Sequence, residues 1–352
     1  MPEREQGSVA LQTQDRWEER ALPTAYFHRV ARETPTRMWI NLPTLQEARE
    51  AIEAGAVSCT TNPTYGARLL DVESEYIQGV ITSVVRETRD VDVAAERVYH
   101  RATQRIMEIF LPLYEWSGGT EGFVTIQGDP RKDDDPDQIV GEMLRASKLG
   151  PNFMAKIPAV PAGLAAIEAL VARNVPVCAT EVFTIAQTID VCERYRRAAQ
   201  KSGYHPPFYV THITGIFDRY MSEFVQREGI AIRPDILAQA GWAVAHEQYR
   251  VFTERGYEGT MLGGGALHPS HFTEMVGGNM HVTLNPDIVR TLVDLDGPVV
   301  SRLEVPAPPD VVAELSEKLP AFRQAIAEDG LAPDEYKSYG PLDLFRTIFI
   351  NG

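Results

Sequence analysis

Short apolar segments and helix-patterned segments alternate along nearly the whole of this 352-residue chain, and that alternation restricts the fold more than any other feature. Eight segments read as strands: "MWINL" from residue 38, "SCTTNP" from 58, "GFVTIQG" from 122, "FMAKIPA" from 153, "VPVCATEVF" from 175, "FYVTHIT" from 208, "GTMLGGG" from 259 and "HVTLNP" from 281. Between them run segments of helical period, such as "PTLQEAREAIEAG" and "PAGLAAIEALVARN", each opening on a helix-start proline and closing on Gly or Asn. Strand then helix, repeated, implies parallel pairing. Eight units at these spacings predict an α/β fold, the (β/α)8 TIM barrel, whose inward residues near the strand C-termini form the active site. A doubly wound open sheet would want a glycine fingerprint after the first strand, and none follows "MWINL".

The intervals from Gly66 to Glu121 and from Ile216 to Glu258 are long for simple crossovers and carry helical patterns, so extra helices are expected there. Residues 1–35 read as a helical lead-in and 308–352 as a helical C-terminal cap, all within one barrel domain spanning 1–352. A net charge of −15 argues against nucleic acid or an anionic membrane as partner, and any anionic substrate would need a local positive site. Cys59, Cys178 and Cys192 have no CxxC spacing and are too few for a disulfide framework, which suits a reducing compartment. The charged N-terminus has no apolar signal core, and no window approaches a membrane span, so a cytoplasmic protein is expected.

One residue breaks the apolar pattern. In "FMAKIPA", alternation puts Met154, Lys156 and Pro158 on one face and the small apolar Ala155 and Ile157 on the other, which suits packing under helices. Lys156 therefore points into the barrel. There, desolvation favours the neutral amine, a nucleophile able to attack a ketone and form an iminium. The alternative is a structural lysine that snorkels to the barrel mouth or pairs with a carboxylate.

"TTNPTYGARLL", "GDPR" at 128, "MAKIPAVPAGLAAIEAL", "ATEVFTIAQTID" and a glycine-rich seventh strand follow one another in an order that resembles the transaldolase family of Schiff-base class I aldolases, over roughly residues 36–330. The resemblance implies a barrel whose Schiff-base lysine on the fourth strand matches Lys156, with no cofactor and no metal. It implies a ketose-derived unit held as an iminium or enamine and passed to an aldehyde, as in the pentose phosphate pathway. Thr61 and Asn62 match the strand-end that lines the substrate site, and Thr180 matches the threonine that positions a catalytic water. The family's first-strand aspartate falls on Asn41, and its third-strand glutamate on Gln127. Glutamine also stands there in the related fructose-6-phosphate aldolases, but the tyrosine those use after the fifth strand is Phe183 here. The phosphate-binding arginines are absent, with Ile216 and Leu267 or His268 near their places, so an unphosphorylated or differently charged substrate is expected.

Lys156, Thr180, Gln127 and Asn41 are the candidate catalytic set, and Thr61, Asn62, Thr211, Gly265, His268 and Arg219 the candidate substrate contacts. His268 lies in the loop after the seventh strand, where it could meet an anion or shuttle a proton. Gly263, Gly264 and Gly265 could offer backbone N–H groups or simply turn tightly. Arg219 could reach an anion or pair with Asp218 or Glu223 on a helix surface. Alternation sends Glu181 and His212 outward, unless a bulge re-aims Glu181. "RKDDDPD" reads as a solvated loop. The expected function is a Schiff-base, transaldolase-like enzyme acting on a sugar or related carbonyl compound, as a single chain or a homo-oligomer. The alternatives are isomerisation, condensation or an aldol step on an atypical substrate, or a non-catalytic small-molecule-binding barrel.

Overall fold

The computed structural model describes residues 25–351. Eight parallel strands close into a barrel in sequence order, each hydrogen-bonded to its chain neighbours and the eighth to the first. They are β1 (Arg37–Asn41), β2 (Ala56–Thr60), β3 (Val124–Gln127), β4 (Phe153–Pro158), β5 (Val177–Val182), β6 (Phe208–His212), β7 (Thr260–Gly263) and β8 (Met280–Leu284). The expected (β/α)8 architecture is therefore the one observed. Of the lead-in, residues 1–24 lie outside the described residues, and α1 (Tyr26–Glu33) forms its remainder.

Local chemistry sets the helix ends. In α2 (Leu45–Ala54) Thr44 and Glu47 form a reciprocal capping box, and Gly55 ends the helix in the left-handed conformation at φ 113°. Pro43, expected to open this helix, lies just outside it, and its carbonyl accepts the Tyr65 hydroxyl instead. The first long interval folds as α3 (Tyr65–Val72), α4 (Ser74–Glu87) and α5 (Val91–Trp116). Next come α6 (Pro136–Ala146), α7 (Pro161–Val171), opened by its proline, and α8 (Ile185–Ser202). The second long interval holds α9 (Thr214–Glu228), α10 (Pro234–Leu237) and α11 (Ala240–Glu254). After α12 (Ser270–Thr273) and α13 (Pro286–Leu295), the C-terminal cap comprises α14 (Pro309–Lys318), α15 (Pro320–Ile326) and α16 (Gly340–Asn351). The last helix reaches the mouth: Phe345 packs edge-on against Phe183, and Arg346 grips both carboxylate oxygens of Asp133 at 2.6 and 2.8 Å.

Two apolar cores flank the sheet. The larger lies between strands and helices and includes Ala155 and Ile157. The smaller fills the barrel interior with Trp39, Val57, Phe123, Met154, Cys178, Tyr209 and Leu262. This division fixes which face of β4 points inward, because Met154 belongs to the interior cluster and Lys156 is two residues further along the same face. A largely apolar floor thus lies beneath the lysine. No helix among the described residues is long and apolar enough to cross a membrane.

Candidate active site

Lys156 is 5% exposed, and its one hydrogen bond among the described residues is long, 3.5 Å from Nζ to the Thr61 carbonyl. No carboxylate among the described residues comes within ion-pair distance of it. Burial lowers its pKa from the usual lysine value, and nearby Cys178, Glu181 and Cys59 oppose that shift without cancelling it. The amine is held on a strand, above a hydrophobic floor, with little to stabilise its charged form.

Glu181 is the unexpected neighbour. Alternation after Thr180 would send it outward, yet it is 1% exposed and lines the same small cavity as Lys156 and Gln127. The reversal comes from the backbone: Glu181 has φ 59°, in the left-handed region, and the β5–β6 register shifts between Ala179 and Val182. Gln187 fixes this kink from the first turn of α8. Its Nε2 donates to the carbonyls of Ala159 and Glu181, and its Oε1 accepts the Phe183 N–H. Glu181 Oε1 accepts from Gln127 Nε2 at 2.9 Å. Burial, reinforced by Asp133, raises the carboxyl pKa to about 7, against the lowering effect of Lys156 and Arg346. Three polar atoms near the amine, Glu181 Oε2, Gln127 Oε1 and Thr180 Oγ1, are buried without a hydrogen-bond partner. Thr103, His212, Thr214 and Gln248 each carry one such atom elsewhere, so what distinguishes this place is that Gln127 and Glu181 share a cavity with the lysine.

The other expected residues divide. Thr61 and Asn62 sit at the end of β2, but the Thr61 hydroxyl donates to the Thr125 carbonyl and accepts from Tyr99, leaving only its carbonyl turned to Lys156. Asn62 Oδ1 accepts from the backbone and hydroxyl of Thr64, holding the turn. Thr211 contacts the Cys178 thiol at 3.1 Å, and Cys178 is the register partner of Lys156. Asn41 stands across the barrel, donating to Asn285 Oδ1 and accepting from Thr60.

Gly265 adopts φ 63° and packs so closely on α9 that a Cβ on Gly215 would lie 1.8 Å from its carbonyl oxygen. The Gly264 N–H is already committed to the His212 carbonyl. His268 is an exposed loop residue, in edge contact with His271, which Asp218 holds at 2.8 Å. Arg219 pairs with Glu223 one turn along α9 and is about half exposed. His212 is a buried core histidine: its Nε2 bonds the Gly241 carbonyl, its Nδ1 has no hydrogen-bond partner among the described residues, and burial lowers its pKa to about 3. Lys156, Gln127 and Glu181 therefore line one cavity, with Thr180 beside it as the register partner of Pro158, while His268 and Arg219 are not among its lining residues.

The sequence model of the Transaldolase/Fructose-6-phosphate aldolase family matches residues 38–335. The chain belongs to that family. Among curated relatives, transaldolases from Mycobacterium ulcerans and Mycobacterium tuberculosis are 29% and 27% identical over 210 residues. The chain spans about half the length of the curated relatives it matches: the aligned segment is 56% of this chain and 55% of each relative. The matched span runs from β1 to beyond β8, with Lys156 on β4 and Asn41 on β1.

Proposed function

We propose that this chain is a Schiff-base enzyme of the transaldolase type, in which Lys156 captures the carbonyl carbon of a ketose or related compound. The nitrogen adds to the carbonyl, the former carbonyl oxygen leaves as water, and the resulting iminium serves as an electron sink. The observation that carries this reading is a buried amine with a lowered pKa and no bound counter-charge, seated on an apolar floor above Met154. Thr180, Gln127 and Asn62 are assigned to orienting water and substrate hydroxyls. The family membership supports an aldolase or transferase reaction. The three buried free thiols suit a reducing cytoplasm.

Charge around the amine favours an unphosphorylated substrate over a sugar phosphate. The cavity beside Lys156 is lined by the acidic side chains of Asp129, Asp133, Glu142 and Glu181, the last two with pKa values raised to about 7 by burial, and Arg131 is committed to Asp129 and Asp92 and Arg346 to Asp133. A phosphate dianion there would meet repulsion without a bidentate donor. Borohydride reduction of the protein in the presence of fructose, dihydroxyacetone or fructose 6-phosphate, followed by peptide mass spectrometry, tests both statements. An adduct on Lys156 is expected, stronger with the free ketoses. If all three ketoses leave Lys156 unmodified, the enzymatic reading is lost.

A further inference from the structure

An iminium alone makes no product; a group must move protons around it, and neither Asn41 nor the Gln127 amide can do so. We propose that Glu181 is the acid/base residue of this site, an assignment that rests on the Lys156 iminium reading. Three observations carry it. Glu181 shares a cavity with Lys156 and Gln127. A left-handed backbone at φ 59°, tethered by Gln187, holds it there, although a non-glycine residue is strained in that conformation. Its Oε2 is buried and unpartnered, while Oε1 is oriented by Gln127 Nε2.

The orientation matters as much as the presence of the carboxylate. With one oxygen held by the Gln127 amide, the other is free to take a proton from a substrate bound to Lys156. For carbon–carbon cleavage, Oε2 removes the proton of the hydroxyl two carbons from the imine carbon. The O–H electrons form the new aldehyde C=O, the bond between the first and second of those carbons breaks, and its electrons move to the iminium, neutralising nitrogen and giving the enamine. Glu181 then returns the proton, either to the enamine carbon or to the oxygen of an incoming aldehyde. For enolisation the same oxygen takes the proton from the carbon next to the imine, and the C–H electrons move the same way. Gln127 is a positioning residue in both cases.

Dihydroxyacetone serves as probe, because its iminium can form and its C–H protons can exchange with deuterium oxide, read by proton NMR. Wild-type protein is expected to give the borohydride adduct on Lys156 and to catalyse exchange. E181Q, which keeps a hydrogen-bonding side chain of the same size, is expected to retain the adduct and to slow exchange by about 100-fold or more. E181G, which accepts the left-handed backbone without strain, provides a second variant should E181Q fold poorly, with the same expected result. Exchange within about threefold of wild type in either folded variant overturns the assignment while leaving the iminium reading intact. Joint loss of adduct and exchange in both folded variants also overturns it, making Glu181 a support for the lysine. A wild-type protein that gives no adduct removes both readings together.

Discussion

The mouth of the barrel has two halves built from similar polar side chains, and they are finished differently. On the β1–β2–β8 arc, Thr283, Thr60, Asn41 and Asn285 form a continuous hydrogen-bonded chain in which Asn41 donates to Asn285, Thr60 donates to Asn41, and the two threonine hydroxyls meet at 2.6 Å. On the β3–β4–β5 arc, Gln127, Thr180 and Glu181 each leave a buried oxygen without a partner around a lysine with one long hydrogen bond. A polar network that satisfies itself fixes strands in register; one that does not keeps bonding capacity for a ligand. The quiet half has the amide of Asn41 on its first strand, and the other half has the buried carboxyl of Glu181 on its fifth.

The largest expected effect comes from removing the amine. K156M should abolish borohydride trapping completely and yet raise the melting temperature near neutral pH. The sign follows from linkage: the folded lysine has a lowered pKa, so the folded state binds fewer protons than the unfolded chain, and its stability falls as pH drops below the unfolded lysine value. Methionine removes that penalty. A K156M protein that melts lower than wild type across pH 6–9 would identify the lysine as a structural element and equalise the two halves.

Next in size is Gln187, which is fully buried and anchors the Glu181 kink through three hydrogen bonds. Q187M keeps the volume and strands the Ala159 and Glu181 carbonyls and the Phe183 N–H, at roughly 1–3 kcal/mol for each group left buried and unpaired. Chemical denaturation should show that loss, and dihydroxyacetone exchange should fall with it, because the released backbone no longer turns Glu181 inward. Unchanged exchange in folded Q187M would detach the kink from the chemistry.

The pH dependence of stability isolates Glu181 itself. Its folded pKa of about 7 lies above the ordinary carboxylate value, so its contribution to stability is fully present below the unfolded pKa and is lost as pH rises toward the folded one. The charged groups acting on it are Asp133, which opposes ionisation, and Lys156 and Arg346, which favour it; Lys337 holds Asp133 from the far side. E181Q removes the titration and keeps the rest. The stability of E181Q relative to wild type should therefore grow between pH 5 and pH 8, by on the order of 3 kcal/mol if the whole shift is expressed. A difference that stays flat over that range would mean that the carboxylate is not buried in solution.

Much of this was legible in the chain. The barrel follows from eight apolar segments, and the inward direction of Lys156 from a two-residue alternation that Met154 obeys in the interior core. Arg219 was expected among the substrate contacts, with pairing to Asp218 or Glu223 as the alternative, and the structure holds the i,i+4 pair with Glu223. What alternation cannot deliver is Glu181, because the period holds only while the strand is regular, and no glycine or asparagine at 181 announces a left-handed residue. The tether responsible, Gln187, is six positions away and acts through a tertiary contact to Ala159. At Thr61 alternation gives the place at the strand end but not the partners, the Thr125 carbonyl and the Tyr99 hydroxyl, which engage its hydroxyl through tertiary contacts.

The smallest expected effect, and the one that most sharpens the contrast, is N41D. The substitution places a carboxylate on β1, at the position where a transaldolase-like base was expected from the resemblance. Here it enters a satisfied ladder: the new carboxylate would still accept from Thr60, and the Asn285 amide could rotate to donate where it now accepts, so the stability change should stay within about 1 kcal/mol. No proton-transfer gain is expected, because a carboxylate committed to Thr60 and Asn285 has its lone pairs directed along the ladder. Dihydroxyacetone exchange in N41D should match wild type, and N41D combined with E181Q should be as slow as E181Q alone. Recovery of exchange in that double variant would show that the two halves of the mouth are interchangeable, and the distinction between a self-satisfied arc and a reactive one would no longer hold.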